Sequence, residues 1–357
     1  MDHRFWCGKA VLITGHTGFK GSWLSLWLTS MGAKVTGYAL ELSQSPNLFN
    51  ALDMGNDMGS IIADINDFDT LSLTLKQNKP EIVFHLAAQS LVKPSYENPI
   101  ETFQTNIMGT VNLLEAVRHC DTVKAVVIVT SDKCYENHEK SIPYQENDRL
   151  GGFDPYSNSK GCAELVTQSF RQSFFADSTV HVASARAGNV IGGGDWSDYR
   201  LIPDVIKAKQ TQTRLDVRNP NAIRPWQHVL EPLSGYMTLA QALYLQGEAY
   251  AEAWNFGPDA SGMKTVEYLL GQVEKRWPDF EWFTQPQQQH HHEAQTLMLD
   301  CSKAKQKLNW HAKWSVDEAL TETLDWYDAF YSKQPMRKIS LEQISCFVQT
   351  QPLLDII

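Results

Sequence analysis

The sequence contains no stretch of about 20 apolar residues, the length that a helix needs to span a bilayer. Its first residues also lack the apolar core and the small-residue cleavage site of a secretory signal peptide. Clusters of lysine and arginine are missing as well, and the formal net charge is −10. These absences argue against a membrane protein, and against nucleic acid or an anionic membrane as the main partner. We therefore predict a cytoplasmic protein with a small-molecule ligand.

Cysteine is scarce, with six in 357 residues and no C-x-x-C pair. A chain of this length that is 43% hydrophobic can bury its core without disulfides, so we interpret the cysteines as free thiols in a reducing compartment. Residues 290–292 are three histidines in a Gln-rich stretch, with no Cys or Asp at ligand spacing. We interpret this run as a solvated loop and predict no metal site.

Short β-branched runs alternate with longer amphipathic stretches in the first half of the chain. The predicted strands are 10–14, 34–38, 61–63, 82–86, 125–129 and 180–184, and the predicted helices are 23–31, 68–77, 102–119 and 156–175. This alternation predicts an α/β fold, a Rossmann-type doubly wound parallel sheet with right-handed crossovers.

The alternation ends after Ala187, where three glycines at 192–194 open a loop. The segments beyond are shorter and richer in Trp, Pro and Gln, but 254–257 has the character of one more strand that returns to the sheet. We therefore predict two interleaved domains. The Rossmann domain comprises 1–188 plus roughly 224–257, and a smaller, mixed C-terminal domain for the substrate comprises 189–223 and 258–357.

A glycine-rich segment follows the first strand directly and opens the first helix. Its G-x-x-G-x-x-G spacing lets the backbone turn tightly and approach a pyrophosphate, which the helix N-terminus then attracts. The residues predicted to contact a dinucleotide here are Gly15, His16, Thr17, Gly18, Phe19, Lys20 and Gly21. No arginine stands at the end of the second strand to meet a 2′-phosphate, which favours NAD over NADP.

Tyr156 and Lys160 form a Y-x-x-x-K pair on a predicted helix. Positions i and i+4 share one helix face, and an ammonium group near a phenol favours the phenolate form. Tyr156 is therefore a candidate base for an alcohol proton, and Lys160 a candidate to hold the nicotinamide ribose.

The fifth strand ends at Ser131, Asp132 and Lys133. An acid and a base side by side at a strand end supply two proton-transfer groups beyond the tyrosine and the lysine. The alternative is a turn with two solvated charges.

These motifs, together with the H-x-A-A segment at 85–88, resemble the extended short-chain dehydrogenase/reductase family, of the type that dehydrates or epimerises sugar nucleotides. The resemblance covers about residues 8–330. It implies that Ser131 binds the reacting hydroxyl beside Tyr156. It also implies NAD contacts from Asp64, Ile65, Leu86, Ala87, Ala88, Tyr156 and Lys160, and sugar-nucleotide contacts from Gln89, Asn189, Arg200 and Arg224.

The Asp132–Lys133 pair resembles the 4,6-dehydratases of that family, which remove a proton from C5 and protonate the leaving C6 hydroxyl. Members that act on dTDP-glucose typically have Thr-Asp-Glu here, whereas Asp-Lys and the Gly-Gly-Gly-Asp-Trp run at 192–196 are similar to members that act on CDP-D-glucose. The resemblance thus implies conversion of CDP-D-glucose to CDP-4-dehydro-6-deoxy-D-glucose. We assign Asp132 as the acid and Lys133 as the base, a role for which partial desolvation must lower the pKa of the lysine.

Two alternatives remain open at the level of sequence. One is a 4,6-dehydratase or a 4-epimerase of another nucleotide sugar, a dTDP-, GDP- or UDP-hexose. The other is an NAD-binding sensor without catalysis, although such proteins often lose the Tyr or the Lys. The family resemblance also implies a homodimer through a four-helix bundle of 102–119 and 156–175, for which we select Leu113, Leu114 and Val117 as the apolar face.

Overall fold

Parallel strands form the centre of the protein. The computed structural model describes residues 2–41, 45–138, 142–285 and 297–351. The strands are β1 (Ala10–Thr14), β2 (Lys34–Ala39), β3 (Gly59–Ile62), β4 (Ile82–His85), β5 (Ala125–Val129), β6 (His181–Ala187), β7 (Val190–Ile191), β8 (Leu215–Asp216), β9 (Ile223–Pro225), β10 (Gln227–His228), β11 (Ala253–Phe256), β12 (Met263–Thr265) and β13 (Trp282–Phe283).

Seven of these strands make one sheet in the order β11-β6-β5-β4-β1-β2-β3, and every neighbouring pair is parallel. The predicted return of a late strand to the sheet is β11, which pairs with β6. The predicted doubly wound parallel sheet is confirmed.

Helices cover both faces of this sheet. The helices of the described residues are α1 (His3–Trp6), α2 (Phe19–Ser30), α3 (Leu48–Ala51), α4 (Phe68–Asn78), α5 (Val92–Glu97), α6 (Pro99–Phe103), α7 (Gly109–Arg118), α8 (Pro155–Ser173), α9 (Leu201–Thr211), α10 (Leu230–Gln246), α11 (Val266–Arg276), α12 (Ser302–Leu308), α13 (Val316–Tyr331) and α14 (Met336–Gln349). Within the described ranges, no helix is both long enough and apolar enough to cross a membrane.

Side chains along each strand alternate between two hydrophobic clusters, because successive strand residues point to opposite faces. On β4, Ile82 and Phe84 belong to the cluster on the α2 and α10 side, whereas Val83 belongs to the cluster on the α4 and α7 side. Burial on both faces explains why the strands are nearly continuous apolar runs.

The first crossover helix, α2, begins at Phe19 and not at Trp23, as the sequence pattern predicted. The predicted start was wrong because Lys20, Gly21 and Ser22 in the first turn interrupt the apolar pattern from which the helix was predicted. The early start places Gly18 at the N-cap of the helix, so the glycine-rich segment and the helix N-terminus form one feature.

The helix predicted at 102–119 is interrupted by a single π-helical turn, Gln104–Met108, between α6 and α7. Asn106 in this turn donates hydrogen bonds to Gln89 O (2.9 Å) and Ser159 Oγ (2.8 Å). The turn therefore ties the loop after β4 to α8. Isolated π turns of this kind are frequent at functional sites.

The three residues predicted to form the apolar face of a dimer interface were the wrong ones. Leu113, Leu114 and Val117 are fully buried in the core cluster between α7 and the sheet. On the helices in question the exposed apolar side chains include Met108 in the π turn and Leu165 on α8. The periodicity of α7 identified an apolar face correctly, but that face packs inward.

The C-terminal part adds three two-stranded pairs, β7 with β10, β8 with β13 and β9 with β12. Helix α13 packs on the loop that follows β7: Trp196 lies against Phe330 with ring centroids 4.9 Å apart, and the Tyr327 hydroxyl donates to Asp195 O. These contacts hold the glycine-rich 192–194 loop beside the carboxyl ends of the sheet strands. The predicted division into two domains stays a prediction.

Candidate active site

A cavity of about 1490 Å³ lies where the sheet strands end. Gly15 follows β1, Leu86 follows β4, Ser131 lies just beyond β5 and Gly188 follows β6, and all four line it. Ligands of doubly wound sheets bind outside the carboxyl ends of the strands for this topological reason. The cavity is therefore the candidate active site.

The glycine-rich segment forms one wall of this cavity. Gly15 has a φ of +76°, and a Cβ there would lie 2.7 Å from Ala87 N, while a Cβ on Gly21 would collide with the carbonyl oxygen of Gly15. By contrast, a Cβ on Gly18 would meet only Gly15 O, at 3.4 Å. No side chain caps α2 at Gly18, so the helix N-terminus offers its N–H groups to an anion such as a pyrophosphate.

Beyond the glycines, the ends of β2 and β3 extend the cavity. Residues 38–40 and 63–65 line it, and none of them is basic. Asp64 and Ile65 are among them, as predicted for an adenosine site. Asp64 Oδ1 also accepts a hydrogen bond from Asn66 N at 2.9 Å, so the carboxylate stabilises its own turn. The apolar and acidic character of this end suits NAD and offers no cation to a 2′-phosphate.

Two of the predicted contacts, His16 and Gln89, do not line the cavity. The ring of His16 is fully buried, with Nε2 2.7 Å from Ser60 Oγ, and it occupies the space beside Gly37. Gln89 Oε1 accepts from Leu91 N at 2.5 Å, so its amide stabilises its own loop. Both side chains support neighbouring segments, and their predicted ligand contacts stay predictions.

Tyr156 and Lys160 lie on α8, which Asp154 caps by accepting from Ser157 N at 2.9 Å. Both side chains are buried and both line the cavity. Burial raises the pKa of Tyr156 to about 12, while a hydrogen bond to Ser131 and the charge of Arg200 lower it.

The sequence interpretation assigned the lowering of the tyrosine pKa to Lys160; in the structure Arg200 is a cation that lowers the pKa of Tyr156. The amino group of Lys160 instead donates to Val129 O at 3.4 Å, at the end of β5. Burial lowers the pKa of Lys160 to about 8, against the raising effect of Glu164 one helical turn away. The lysine thus links α8 to the sheet beside the tyrosine.

Ser131, Asp132 and Lys133 follow β5 and all line the cavity. Ser131 caps a short 3₁₀ turn, and its hydroxyl donates to Asp132 Oδ1 at 2.9 Å. Asp132 is buried, and this burial raises the pKa of its carboxyl group, whereas Lys133, Ser131 and Lys20 lower it. Lys133 is half-buried. The Asp132–Lys133 pair is therefore not a solvated turn, since the carboxyl group of Asp132 is buried away from solvent.

A buried polar network holds this segment from behind. Glu164 on α8 and Arg186 on β6 form an ion pair at 2.8 Å, both almost fully buried. Glu164 also accepts from the hydroxyl groups of Thr130 and Ser184, and Arg186 donates to the Tyr135 hydroxyl at 2.7 Å. Buried charges are tolerated only when paired and hydrogen-bonded in this way. The network fixes the residues on both sides of 131–133.

The predicted substrate residues Asn189, Arg200 and Arg224 also line the cavity. Arg200 pairs with Asp195 at 2.7 Å and donates to Ser90 Oγ at 3.3 Å, so it bridges two loops over the cavity. Planar guanidinium groups at this position suit a diphosphate. The structure thus brings most predicted site residues into one cavity.

Sequence reasoning missed several other residues that line the cavity. They include Arg218, in the segment after β8, and Lys93, which donates to the Tyr199 hydroxyl at 3.3 Å. A two-residue strand such as β8 has too little periodicity to mark the loop after it. Among the described residues, no group of three or more His, Cys, Asp or Glu side chains could hold a metal ion, and the histidines at 290–292 lie outside that part of the chain.

Comparison with known proteins gives this geometry a context. A family model described as GDP-mannose 4,6 dehydratase matches residues 12–323. The chain belongs to the GDP-mannose 4,6 dehydratase family. This confirms the resemblance that the motifs indicated. The resemblance was to those extended short-chain dehydrogenases/reductases that modify sugar nucleotides.

As a member of this family, the chain is 51% identical over 353 residues to the CDP-glucose 4,6-dehydratase of Salmonella typhimurium, an alignment that covers 98% of each chain. Its fold is similar to that of the epimerase Mth375 from Methanothermobacter thermautotrophicus, with a TM-score of 0.80, 24% identity and coverage of 94% and 96%. It is also similar to the dTDP-glucose 4,6-dehydratase of Bacillus anthracis, in complex with NAD, with a TM-score of 0.75, 22% identity and coverage of 92% and 100%. At these identities the two structures show a shared fold.

Proposed function

We propose that the protein converts CDP-D-glucose to CDP-4-dehydro-6-deoxy-D-glucose and water, with NAD as a bound cofactor. The observation that carries this proposal is the buried Asp132 beside Lys133 in the cavity that also holds Ser131 and Tyr156. An epimerase needs no acid and base beyond the serine, tyrosine and lysine. The high identity to a CDP-glucose 4,6-dehydratase along the whole chain supports the choice of substrate.

NAD, when bound, supplies an acceptor for hydride from C4 and a donor of hydride to C6. Residues of this chain that would hold it are the turn of Gly15 and Gly18, the strand ends at Ala63 and Asp64, and the small side chains of Ala87 and Ala88. The uncapped N-terminus of α2 would bind its pyrophosphate. The absence of basic residues at 38–40 and 63–65 supports NAD over NADP.

Tyr156 would remove the proton of the C4 hydroxyl group, assisted by Ser131. Burial raises the pKa of Tyr156, whereas its hydrogen bond with Ser131 and the charge of Arg200 lower it, so these two groups favour the phenolate form. Oxidation at C4 makes the C5 proton acidic, which prepares the elimination.

Asp132 and Lys133 would then expel water. Hydroxide is a poor leaving group, so the C6 oxygen must receive a proton as its bond to carbon breaks. The raised pKa of the buried Asp132 carboxyl keeps a proton available for this step. Lys133, half-buried next to it, would take the proton from C5.

The sugar nucleotide would be anchored through its diphosphate. Arg200, Arg224 and Asn189 all line the cavity that holds Asp132. The salt bridge of Arg200 to Asp195 and its hydrogen bond to Ser90 Oγ hold the guanidinium group over the cavity, where its positive charge suits phosphate oxygens.

The protein would act as a homodimer in which two helices from each copy form a four-helix bundle: the continuous helix of α6, the π turn and α7, and helix α8. What supports this is a set of exposed apolar side chains on these helices and the π turn between them: Ile100, Met108 and Leu165 are 74%, 48% and 53% exposed. Exposed side chains of this size on neighbouring helices are typical of an interface. The predicted location in the cytoplasm stays a prediction.

Incubation of the protein with CDP-, dTDP-, GDP- and UDP-hexoses, each scored for a 4-keto-6-deoxy product, tests the function. We expect product from CDP-D-glucose at the highest kcat/KM. A C4 epimer without water loss would instead identify an epimerase. Binding of NAD without turnover on any of the four would identify a sensor.

A further inference from the structure

The glycine run at 192–194 lies so close to its neighbours that a side chain at any of its three positions would displace one of them. A Cβ atom on the first glycine would lie 2.8 Å from Cγ1 of Val229 and 3.1 Å from Cζ of Phe19. A Cβ atom on the second would collide with the ring of Trp326, and one on the third with the side chain of Leu48. Phe19 is the first residue of α2. The run therefore packs directly against the helix that begins at the glycine-rich segment of the cavity.

Trp23, one helical turn after Phe19 on the same face of α2, makes a hydrogen bond to this run. Its indole Nε1 donates to the carbonyl oxygen of Gly193 at 2.9 Å, and both residues are buried. Neither of them lines the cavity, whereas Gly192 and Asp195 of the same loop do. Trp23 thus holds the wall of the cavity from behind.

The buried position of Gly193 makes this hydrogen bond important for the loop. A backbone carbonyl that loses its donor in the protein interior is not solvated by bulk water, and an unpaired buried carbonyl is costly in free energy. Without the indole N–H, the carbonyl of Gly193 would therefore shift toward another donor. A phenylalanine at position 23 would fill most of the space of the indole but could not supply the N–H group.

Asp195, two residues after Gly193, links the loop to Arg200. Its Oδ2 accepts from Arg200 Nη1 at 2.7 Å, and its Oδ1 accepts from Ser197 N at 3.0 Å. The carboxylate is buried and both of its oxygens have partners. A shift of the loop at Gly193 would consequently move this carboxylate and the guanidinium group that is paired with it. Arg200 itself lines the cavity.

We propose that Trp23 is a positioning residue, whose indole N–H fixes the loop 192–195 and thereby the place of Arg200 over the cavity. This inference rests on the proposed function, in which Arg200 binds the diphosphate of the sugar nucleotide. Trp23 takes part in no proton or hydride transfer, so its contribution lies in the binding of the substrate. Because Trp23 is on α2, whose N-terminus would hold the cofactor, it also keeps the two ends of the cavity at a fixed separation.

Trp23→Phe removes the indole donor, and Trp27→Phe is the matched control. Trp27 lies one turn further along α2 and is also buried, but its Nε1 has no hydrogen-bond partner among the described residues. Both variants lose the same atoms from the core, and thermal melting measures the loss of stability in each. The kinetic constants for CDP-D-glucose are measured together with the affinities of CDP, cytidine and NAD by calorimetry.

We expect Trp23→Phe to raise the KM for CDP-D-glucose and the Kd of CDP about three- to tenfold, the range of a single hydrogen bond. The kcat, and the Kd values of NAD and of cytidine, which has no phosphate, should stay within about twofold, as for a loss of substrate binding alone. Trp27→Phe should be less stable but should leave all of these constants unchanged. A merely structural role of Trp23 would lower the stability in the same way and leave the KM unchanged.

A double-mutant cycle tests whether Trp23 acts through Arg200. In an Arg200→Met background, Trp23→Phe should change the Kd of CDP less than about twofold, because the cation that Trp23 positions is gone. An equal effect of Trp23→Phe in both backgrounds would overturn the proposal. An unchanged KM in Trp23→Phe alone would also overturn it.

If Trp23→Phe does not fold, benzothienylalanine at position 23 keeps the shape of the ring and replaces only the N–H group, and the same outcomes apply. Failure of the unchanged enzyme on CDP-D-glucose would contradict the proposed function itself. The positioning role of Trp23 would then still be tested, through whichever of the diphosphates CDP, dTDP, GDP and UDP the enzyme binds.

Discussion

The carboxyl oxygen Oδ2 of Asp132 lies 2.8 Å from the position that a Cβ atom on Gly188 would occupy. The same position is 3.0 Å from Cγ of Pro225. Asp132 and Pro225 therefore pack against the backbone of Gly188, and no space remains there for a methyl group. The placement of the candidate acid depends on a glycine that follows β6, in a different loop from its own.

Gly188→Ala should displace the Asp132 carboxyl and slow water loss while oxidation at C4 continues. A displacement of about 1 Å in a reacting group costs on the order of 10²-fold in rate. Single-turnover measurement of 4-keto-6-deoxy product and of reduced cofactor distinguishes the two steps. Gly271→Ala on α11, where a Cβ would meet no atom within 4 Å, is the control and should leave both steps unchanged.

Tyr156→Phe should abolish most turnover, because the variant lacks the group that accepts the C4 hydroxyl proton. Its affinity for NAD should persist, since Gly15, Gly18 and Asp64 are untouched. The two quantities are measured by a 4-keto product assay and by calorimetric titration with NAD. Near-normal turnover in this variant would remove Tyr156 from the mechanism.

Asp132→Asn and Lys133→Ala should each slow water loss strongly, since proton transfer of this kind contributes about 10²–10⁴-fold. Oxidation at C4 should survive in both, because Tyr156 is unchanged. The expected signature is reduced cofactor that accumulates on the enzyme with an unreleased 4-keto-hexose. In deuterated water the unchanged enzyme should place deuterium at C5, and Lys133→Ala should do so more slowly. If both variants turn over normally, the dehydratase proposal loses its main local support.

Much of the fold and site follows from short-range sequence patterns. The glycine spacing and the Tyr156–Lys160 pair are local, so the sequence predicts both their elements and their shared cavity. Contacts between distant segments could not be predicted from the sequence. Lys20 contacts Tyr236, which is 216 residues away, and no spacing rule connects the two residues. The burial of Leu113 shows the same limit, because periodicity locates an apolar face without saying what covers it.

The dimer proposal predicts that Leu165→Glu on α8 gives a monomer at micromolar concentration, because a buried carboxylate without a partner is costly at an interface. The unchanged protein should be a dimer by light scattering. Leu73→Glu on α4 is a close match, since Leu73 is 54% exposed and Leu165 is 53% exposed. That control should remain a dimer. A monomeric unchanged protein at the same concentration would rule out the four-helix interface.

Another buried acid, Glu231 on α10, predicts a pH dependence of stability that is unrelated to catalysis. Its Oε1 accepts from Lys313 N at 2.9 Å and Trp314 N at 2.8 Å, which ties α10 to the segment before α13. Burial nevertheless raises the pKa of Glu231 to about 8 from its ordinary value of 4.5, against the lowering effect of these two hydrogen bonds. The folded protein therefore holds this proton more tightly than the unfolded chain does.

A carboxyl group whose pKa is raised in the folded protein stabilises the fold fully when the pH is below the pKa of the group in the unfolded chain. This stabilisation is lost as the pH rises to the pKa of the group in the folded protein. Here that window runs from 4.5 to about 8. Glu231→Gln keeps an acceptor for Lys313 N and Trp314 N but cannot ionise, so its free energy of unfolding, measured with urea, should change less across the window. At the upper end of this pH window, the free energy of unfolding of Glu231→Gln should equal or exceed that of the unchanged protein.

Glu231→Ala leaves both N–H groups without their acceptor and should lower the free energy of unfolding by about 1–3 kcal/mol at every pH. An unchanged pH slope in Glu231→Gln would mean that another group carries the dependence.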